Sequence, residues 1–320
     1  MANPTPTEST PPLSRTGTLT HSEVTQRRIS AYEGRSPPFA EPIHPADKAI
    51  PWYRDRAYPM DGWNSPALWR SVLVGTVGTS ALVLVSGQIG ATLLNYQDGS
   101  LGVTSYVMVS NILLLMCFIY ATAPASGGHL NPLISFSTML TGICPLPRAV
   151  LYICGQTLGA CIAGGVLTGV WGRERSVQLQ GGGCFYDSSK VLAGQVFLNE
   201  VAASFALLFL AFGVGLDPRQ TLFFGPRHGP VLVGMSLGLV AFASSGMIPG
   251  YTGAQMIPAR CMAFGIVRRD LSNQWIWWFG PMIAALLLAV LHNIIPPHLA
   301  DPSQPKQAPK GENVEAKAPA

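Results

Sequence analysis

Two stretches of the chain decide the fold: Ser-Gly-Gly-His-Leu-Asn-Pro at 126–132 and Thr-Gly-Ala-Gln-Met-Ile-Pro at 252–258. Each is a turn of small residues followed by a proline, which suits the first turn of a helix because its missing N–H needs no partner there. About ten apolar residues follow each proline, whereas a helix needs about 20 to cross a hydrocarbon core. The sequence therefore predicts two short helices that enter an apolar medium and stop within it.

The rest of the chain is too apolar for a water-soluble domain. Of its 320 residues, 48% are hydrophobic and 11% are charged, whereas an ordinary soluble domain has about 25% charged residues. The basic residues form no stripe with interleaved aromatic residues, so nucleic acid is not an expected partner. We predict a polytopic protein of the lipid bilayer.

Six apolar runs are long enough to span the bilayer. None shows the strict alternation of a membrane β-barrel, so helices are expected. The fold class is thus an all-α polytopic membrane protein with six transmembrane helices and two half-helices. The predicted spans are 67–89, 103–123, 149–171, 195–216, 230–249 and 275–295.

The chain is also an internal repeat. Asn131 follows Leu68, at the start of the first span, by nearly the same distance as Ile257 follows Gln195, at the start of the fourth. Three spans in each half is an odd number, so the halves (67–171 and 195–296) are inserted with opposite orientation. Inverted repeats with interrupted helices occur in pores and transporters.

A half-helix that ends at mid-membrane points unpaired backbone N–H groups and the positive end of its dipole at the bilayer centre. Neutral solutes can exchange hydrogen bonds there, whereas cations and protons meet a barrier. A passive channel for small neutral solutes is the leading interpretation. A secondary transporter and a non-conducting or junction-type structural protein remain as alternatives. The sequence contains no arrangement of nucleophile and base that would indicate an enzyme. No cofactor or metal is expected.

Residues 1–66 and 297–320 are polar and are expected to be disordered tails. The positive-inside rule places both termini in the cytoplasm. The basic residues that favour this orientation are Arg54, Arg56, Arg70, Arg219 and Arg227; those against it are Arg173, Arg175 and Lys190.

Gly-Gly-His-Leu-Asn-Pro-Leu (127–133) and Thr-Gly-Ala-Gln-Met-Ile-Pro-Ala-Arg (252–260) resemble the two Asn-Pro-Ala boxes of the aquaporin, or major intrinsic protein, family. The run from Trp275 to Pro281 resembles the start of that family's sixth helix. Within the family the chain looks most like the X intrinsic proteins of fungal type. The resemblance covers about 67–296 and implies an aquaporin-like channel domain, a homotetramer and the plasma membrane.

The resemblance also implies a four-residue selectivity filter, formed by Asn111, Ser245, Ala254 and Arg260. Water-selective members typically place an aromatic residue and a histidine in this layer. The small and polar residues of this chain therefore imply a wider filter. We expect it to pass glycerol, urea, hydrogen peroxide, boric acid and water while excluding protons and ions.

The box residues at the pore waist are Asn131, Pro132, Leu133, Ile257, Pro258 and Ala259. Ile257 stands where the family has Asn, so it removes one of two waist donors and lies either beside the pore or in packing. On the first helix Gly75 stands where the family has a buried Glu; its counterpart Glu200 is present and is expected to brace loop backbone.

Gly127, Gly128 and His129 are expected to line the inner vestibule. The cysteines are expected to be free thiols, although a mutual disulfide between Cys184 and Cys261 is left open. Small residues are expected to allow close helix packing at 155, 159, 160, 163–165 and 169.

Overall fold

The structure is a computed structural model that describes residues 62–95, 101–217, 221–245 and 247–294. The predicted tails lie outside these ranges, except for residues 62–66, where a turn leads into the first helix. The helices are α1 (Pro66–Asn95), α2 (Leu101–Ser126), α3 (Pro132–Leu140), α4 (Leu146–Gln178), α5 (Ala193–Ala211), α6 (Thr221–Ser244), α7 (Pro258–Arg268) and α8 (Gln274–Ile294). A 3₁₀ turn (Gln180–Gly182) follows α4, and a π turn (Phe212–Leu216) extends α5.

The predicted fold class is confirmed. Among the described residues, five helices can cross a membrane by length and composition: α1, α2, α4, α5 with its π turn, and α8. The fifth predicted span, 230–249, falls on α6, which is 24 residues long and ends at Ser244 rather than at 249. Pro249 is one reason why the helix does not reach 249, because a proline disfavours helical backbone in the residue before it.

The two short helices occur where the box sequences predict them. α3 has 9 residues and α7 has 11, so at 1.5 Å per residue they are about 13 and 16 Å long. Neither can cross a core of about 30 Å. Both begin with a proline, Pro132 and Pro258.

The packing of the helices repeats between the halves. In the first half α1 packs against α4 and α2; in the second, α5 packs against α8 and α6. Each half-helix contacts the last span of the opposite half, α3 with α8 and α7 with α4, while α2 and α6 pack together. The occurrence of corresponding contacts in both halves is what an inverted repeat implies.

Small residues allow some of the closest helix contacts. A methyl group on Gly159 would collide with the carbonyl oxygen of Thr76, and one on Gly164 would lie 2.8 Å from that of Ala263. The prediction of close packing was wrong for Gly165 and Gly169, since a Cβ there would have no atom within 4 Å. These two positions face away from the neighbouring helices.

The bundle buries polar side chains among its apolar core residues and exposes large apolar side chains on its outer surface. Ser135 and Glu200 are fully buried, whereas the large apolar side chains Leu73 and Leu198 are 64% and 68% exposed. An apolar exterior is stable only in contact with lipid or with another apolar surface, because water contact with such an area is unfavourable.

Candidate pore

The first box forms a capped helix start. Asn131 has extended backbone, and its Oδ1 accepts a hydrogen bond from the Leu133 amide at 3.0 Å. Leu130 before it has a φ of 40°, and Gly128 has a φ of 70°. The turn therefore needs left-handed backbone, which glycine adopts without cost. Pro132, in the first turn of α3, requires no donor partner.

The second box repeats this shape without the cap. Met256 has a φ of 55°, matching Leu130 in the first box, and Pro258 opens α7. Ile257 occupies the cap position, but its hydrocarbon side chain forms no hydrogen bond there. It is 3% exposed and belongs to a buried apolar cluster that includes Leu133. Ile257 therefore packs among apolar side chains at the start of α7, and Ala259, two residues further on, is fully buried.

A hydrogen bond joins the two boxes. The Nδ2 of Asn131 donates to the carbonyl oxygen of Met256 at 2.9 Å. The N-termini of α3 and α7 are therefore neighbours, and both direct the positive ends of their dipoles at the same region.

Glu200 on α5 contacts the backbone of the second box. Its Oε1 accepts from the Gln255 amide at 2.7 Å, and its Oε2 accepts from the Met256 amide at 3.2 Å. The Tyr251 hydroxyl also donates to Oε1 at 3.3 Å, and it accepts from Asn199 Nδ2. Three donors thus surround a fully buried carboxylate, and a buried charge requires such partners. Tyr251 and Asn199 carried no signal in the sequence.

His129 lies beside α3 in a polar cluster. Its Nδ1 is 3.3 Å from the Ser135 hydroxyl, and Gln156 Nε2 on α4 donates to the same hydroxyl at 3.0 Å. The imidazole and the Tyr152 ring are nearly perpendicular, and their centroids are 5.6 Å apart. His129 and Gly128 are buried, whereas Gly127 is exposed.

Arg260 lies in the first turn of α7 and is 7% exposed. Its Nη2 donates to the carbonyl oxygen of Gln255 at 2.9 Å and to Gln255 Oε1 at 2.8 Å. Its Nη1 donates to the Ser86 hydroxyl of α1 at 3.2 Å. Its Nε has no hydrogen-bond partner within the described part of the chain. Sequence reasoning missed Gln255 and Ser86.

Three of the four predicted filter residues lie close together. Ala254 is the residue before Gln255, and its amide donates to the Ser244 hydroxyl at 3.1 Å. The next residue, Ser245, is half-buried. Asn111 is half-buried on α2, which packs against α6. Its Nδ2 donates to the Val107 carbonyl of its own helix at 2.8 Å.

The expectation of free thiols was wrong for Cys184 and Cys261, which form a disulfide across 77 residues. Both are fully buried, and the glycines before Cys184 let its loop approach α7: a Cβ on Gly181 would collide with the Phe264 carbonyl. Sequence spacing gave no reason for this pair, because the contact depends on how the loop folds back.

The same loop, between α4 and α5, is held against the second box by backbone contacts. The Thr252 amide donates to the Phe185 carbonyl at 3.3 Å, and the Asp187 amide donates to the Gly250 carbonyl at 2.8 Å. The amide and hydroxyl of Ser189 donate hydrogen bonds to the Asp187 carboxylate, which holds its pKa below the usual value. Among the described residues, no group of three His, Cys, Asp or Glu could hold a metal ion.

Two half-helices that meet at their N-termini inside a bundle of long apolar helices define an integral membrane protein with re-entrant helices. Residues 62–292 match the family described as major intrinsic protein. The lens fiber major intrinsic protein of Gallus gallus is 32% identical over 231 residues, which cover 72% of this chain and 82% of that protein. The chain belongs to the major intrinsic protein family.

Other relatives agree with this assignment. A probable aquaporin PIP-type 7a of Pisum sativum is 30% identical over 185 residues, 57% of this chain. The chain spans about 63% of the length of that protein and of its Solanum lycopersicum counterpart, probable aquaporin PIP-type pTOM75. The X-ray structure of the aquaglyceroporin from Plasmodium falciparum has the same fold, with a TM-score of 0.57 at 20% identity, over 71% of this chain and 96% of that one.

Proposed function

We propose that this protein is a passive channel for water and small uncharged solutes. The observation that carries the proposal is the meeting of the two half-helix N-termini, joined by the Asn131–Met256 hydrogen bond. The positive ends of the two helix dipoles and the Arg260 guanidinium concentrate positive potential in that region. This potential repels cations and protons. A neutral solute has no such barrier. The names of the plant and Plasmodium relatives, aquaporin and aquaglyceroporin, support the same function.

We further propose that Asn111, Ser245, Ala254 and Arg260 form the selectivity filter. Ala254 and Ser245 have small side chains, so the layer has little bulk beside Arg260. That composition favours solutes larger than water, with glycerol, urea, hydrogen peroxide and boric acid as the substrates, as in the X intrinsic proteins that the sequence resembles. The fungal X intrinsic type, the homotetramer, the plasma membrane and cytoplasmic termini belong to the same proposal.

A non-conducting or junction-type role is the second candidate, and one observation favours it. Ile257 removes a donor from the waist and places an apolar side chain in a buried cluster there, which leaves a solute fewer polar partners. A secondary transporter is less favoured. Coupling to ions needs a titratable group that can exchange its partners, whereas Glu200 is held by two backbone amides and a hydroxyl.

Flux into proteoliposomes tests the three alternatives. The full chain is reconstituted, and uptake of water, glycerol, urea, hydrogen peroxide and boric acid is followed by light scattering after an osmotic step. A channel gives flux that is linear in the gradient and independent of ions. A transporter saturates and requires an ion gradient. Rates equal to those of empty vesicles for every solute would overturn the channel and support the structural role.

A further inference from the structure

Gln255 has an unusual position for a glutamine, because it is 8% exposed and every polar atom of its side chain has a hydrogen-bond partner. Its Nε2 donates to the Gly253 carbonyl at 3.0 Å and to the Thr252 hydroxyl at 3.2 Å. These bonds fix the amide plane, so Oε1 points at Arg260 Nη2, 2.8 Å away. Neither the sequence prediction nor the family match assigns a role to this side chain.

The bonds of Gln255 decide which donors Arg260 offers to a solute. A guanidinium has five N–H groups. The two on Nη2 are directed at the carbonyl and the Oε1 of Gln255, and one on Nη1 is directed at Ser86. The Nε–H and the second Nη1–H remain, and Nε is buried without a partner among the described residues. Three of the five N–H groups are therefore bound to the protein, and these bonds fix the plane of the guanidinium.

The Gln255 side chain bonds the loop at the Gly253 carbonyl, but the amides of the loop have other acceptors. Glu200 accepts the amides of Gln255 and Met256, and the Ser244 hydroxyl accepts the amide of Ala254. Beyond the loop itself, the side chain adds the contact with Arg260. Its effect is therefore expected on the position of Arg260 more than on the course of the loop.

We propose that Gln255 is a positioning residue that sets the solute selectivity of the channel by holding Arg260 against the wall, with Ser86 holding the other nitrogen. This inference rests on the proposed channel function. Without the Gln255 anchor the guanidinium gains rotational freedom and extends into the passage. A larger solute such as glycerol is then hindered more than water.

The test compares glycerol and water permeability of reconstituted wild type and of Gln255→Met, which keeps the length of the side chain but removes its hydrogen bonds. The glycerol-to-water ratio is expected to fall roughly 10-fold, the lower end of the factor that one hydrogen bond to a charged group corresponds to. Gln274→Met is the matched control, because Gln274 donates to the Cys261 carbonyl of α7 at 2.9 Å and has no bond to Arg260. It should leave the ratio unchanged.

Ser86→Ala is a second, independent variant that removes the Nη1 bond, and it should lower the same ratio. It also keeps the inference testable if Gln255→Met does not fold. A purely structural effect would lower both permeabilities together and leave the ratio intact. If wild type conducts and neither variant changes the ratio, the inference is overturned and the channel stands. If wild type conducts nothing, both are overturned.

Discussion

The Nδ2 of Asn131 donates to the carbonyl oxygen of Met256 at 2.9 Å, across 125 residues of sequence. The bond has no symmetric counterpart, because Ile257, in the place that Asn131 holds in the first half, has no donor. The inverted repeat is therefore intact in its backbone and broken in its side chains at the waist.

The broken symmetry predicts the effect of Ile257→Asn. An asparagine at this helix start can accept the amide two residues on, as Asn131 does with Leu133. Such a cap stabilises the helix start by about 1 kcal/mol. It therefore compensates for part of the stability that is lost when the buried isoleucine side chain is removed. It also restores a polar donor at the waist, so permeability to water and small polar solutes should rise. Stopped-flow swelling of vesicles measures the change.

Ile257→Leu is the control for that substitution, since it changes the shape of the side chain without adding a polar group. It should leave swelling rates close to those of wild type. Equal rates in the asparagine and leucine variants would show that position 257 has no influence on the passage.

Glu200→Gln is expected to destabilise the protein. The carboxylate accepts the Gln255 and Met256 amides, whereas an amide side chain would set a donor against one of them. Hydrogen bonds to a charged group contribute about 1.5–3 kcal/mol each, so the melting temperature of the purified protein should fall by several degrees. Glu174→Gln is the control, because Glu174 is exposed. An equal, small change in both variants would contradict the bracing role.

The fold could be predicted from the sequence because its determinants are local. A proline after a turn of small residues starts a helix, and the length of an apolar run decides whether it spans the bilayer. The contacts around Arg260 and the second box are not local. Ser86 meets Arg260 across 174 residues, and Cys184 meets Cys261 across 77. Such pairs depend on the packing of whole helices and on glycine turns. A local sequence pattern does not reveal which residues these features bring together.

A substitution at Gly75 tests whether the first box can be braced by a carboxylate, as the second box is by Glu200. It occupies in α1 the place that Glu200 holds in α5, and a Cβ there would have no atom within 4 Å. Gly75→Glu should provide the first box with the carboxylate that the second box already has. Gly75→Ala separates the effect of helix propensity from that of the carboxylate, since the alanine gains only helix propensity, about 1 kcal/mol. Thermal unfolding should rank glutamate above alanine and alanine above wild type; glutamate below wild type would exclude a bracing geometry at this site.

The Cys184–Cys261 disulfide should control the stability of the second box. In the chain-entropy model, a cross-link across 77 residues stabilises a protein by about 4.5 kcal/mol. For a domain of this size that corresponds to roughly 10 °C in melting temperature. Reduction with dithiothreitol, or Cys184→Ser, should cause that loss, and the two should not add. Cys154→Ser, at an exposed cysteine of α4, should change neither the melting temperature nor its response to reductant. A wild-type protein whose melting temperature is unaffected by full reduction would show that the disulfide adds nothing to the stability of α7.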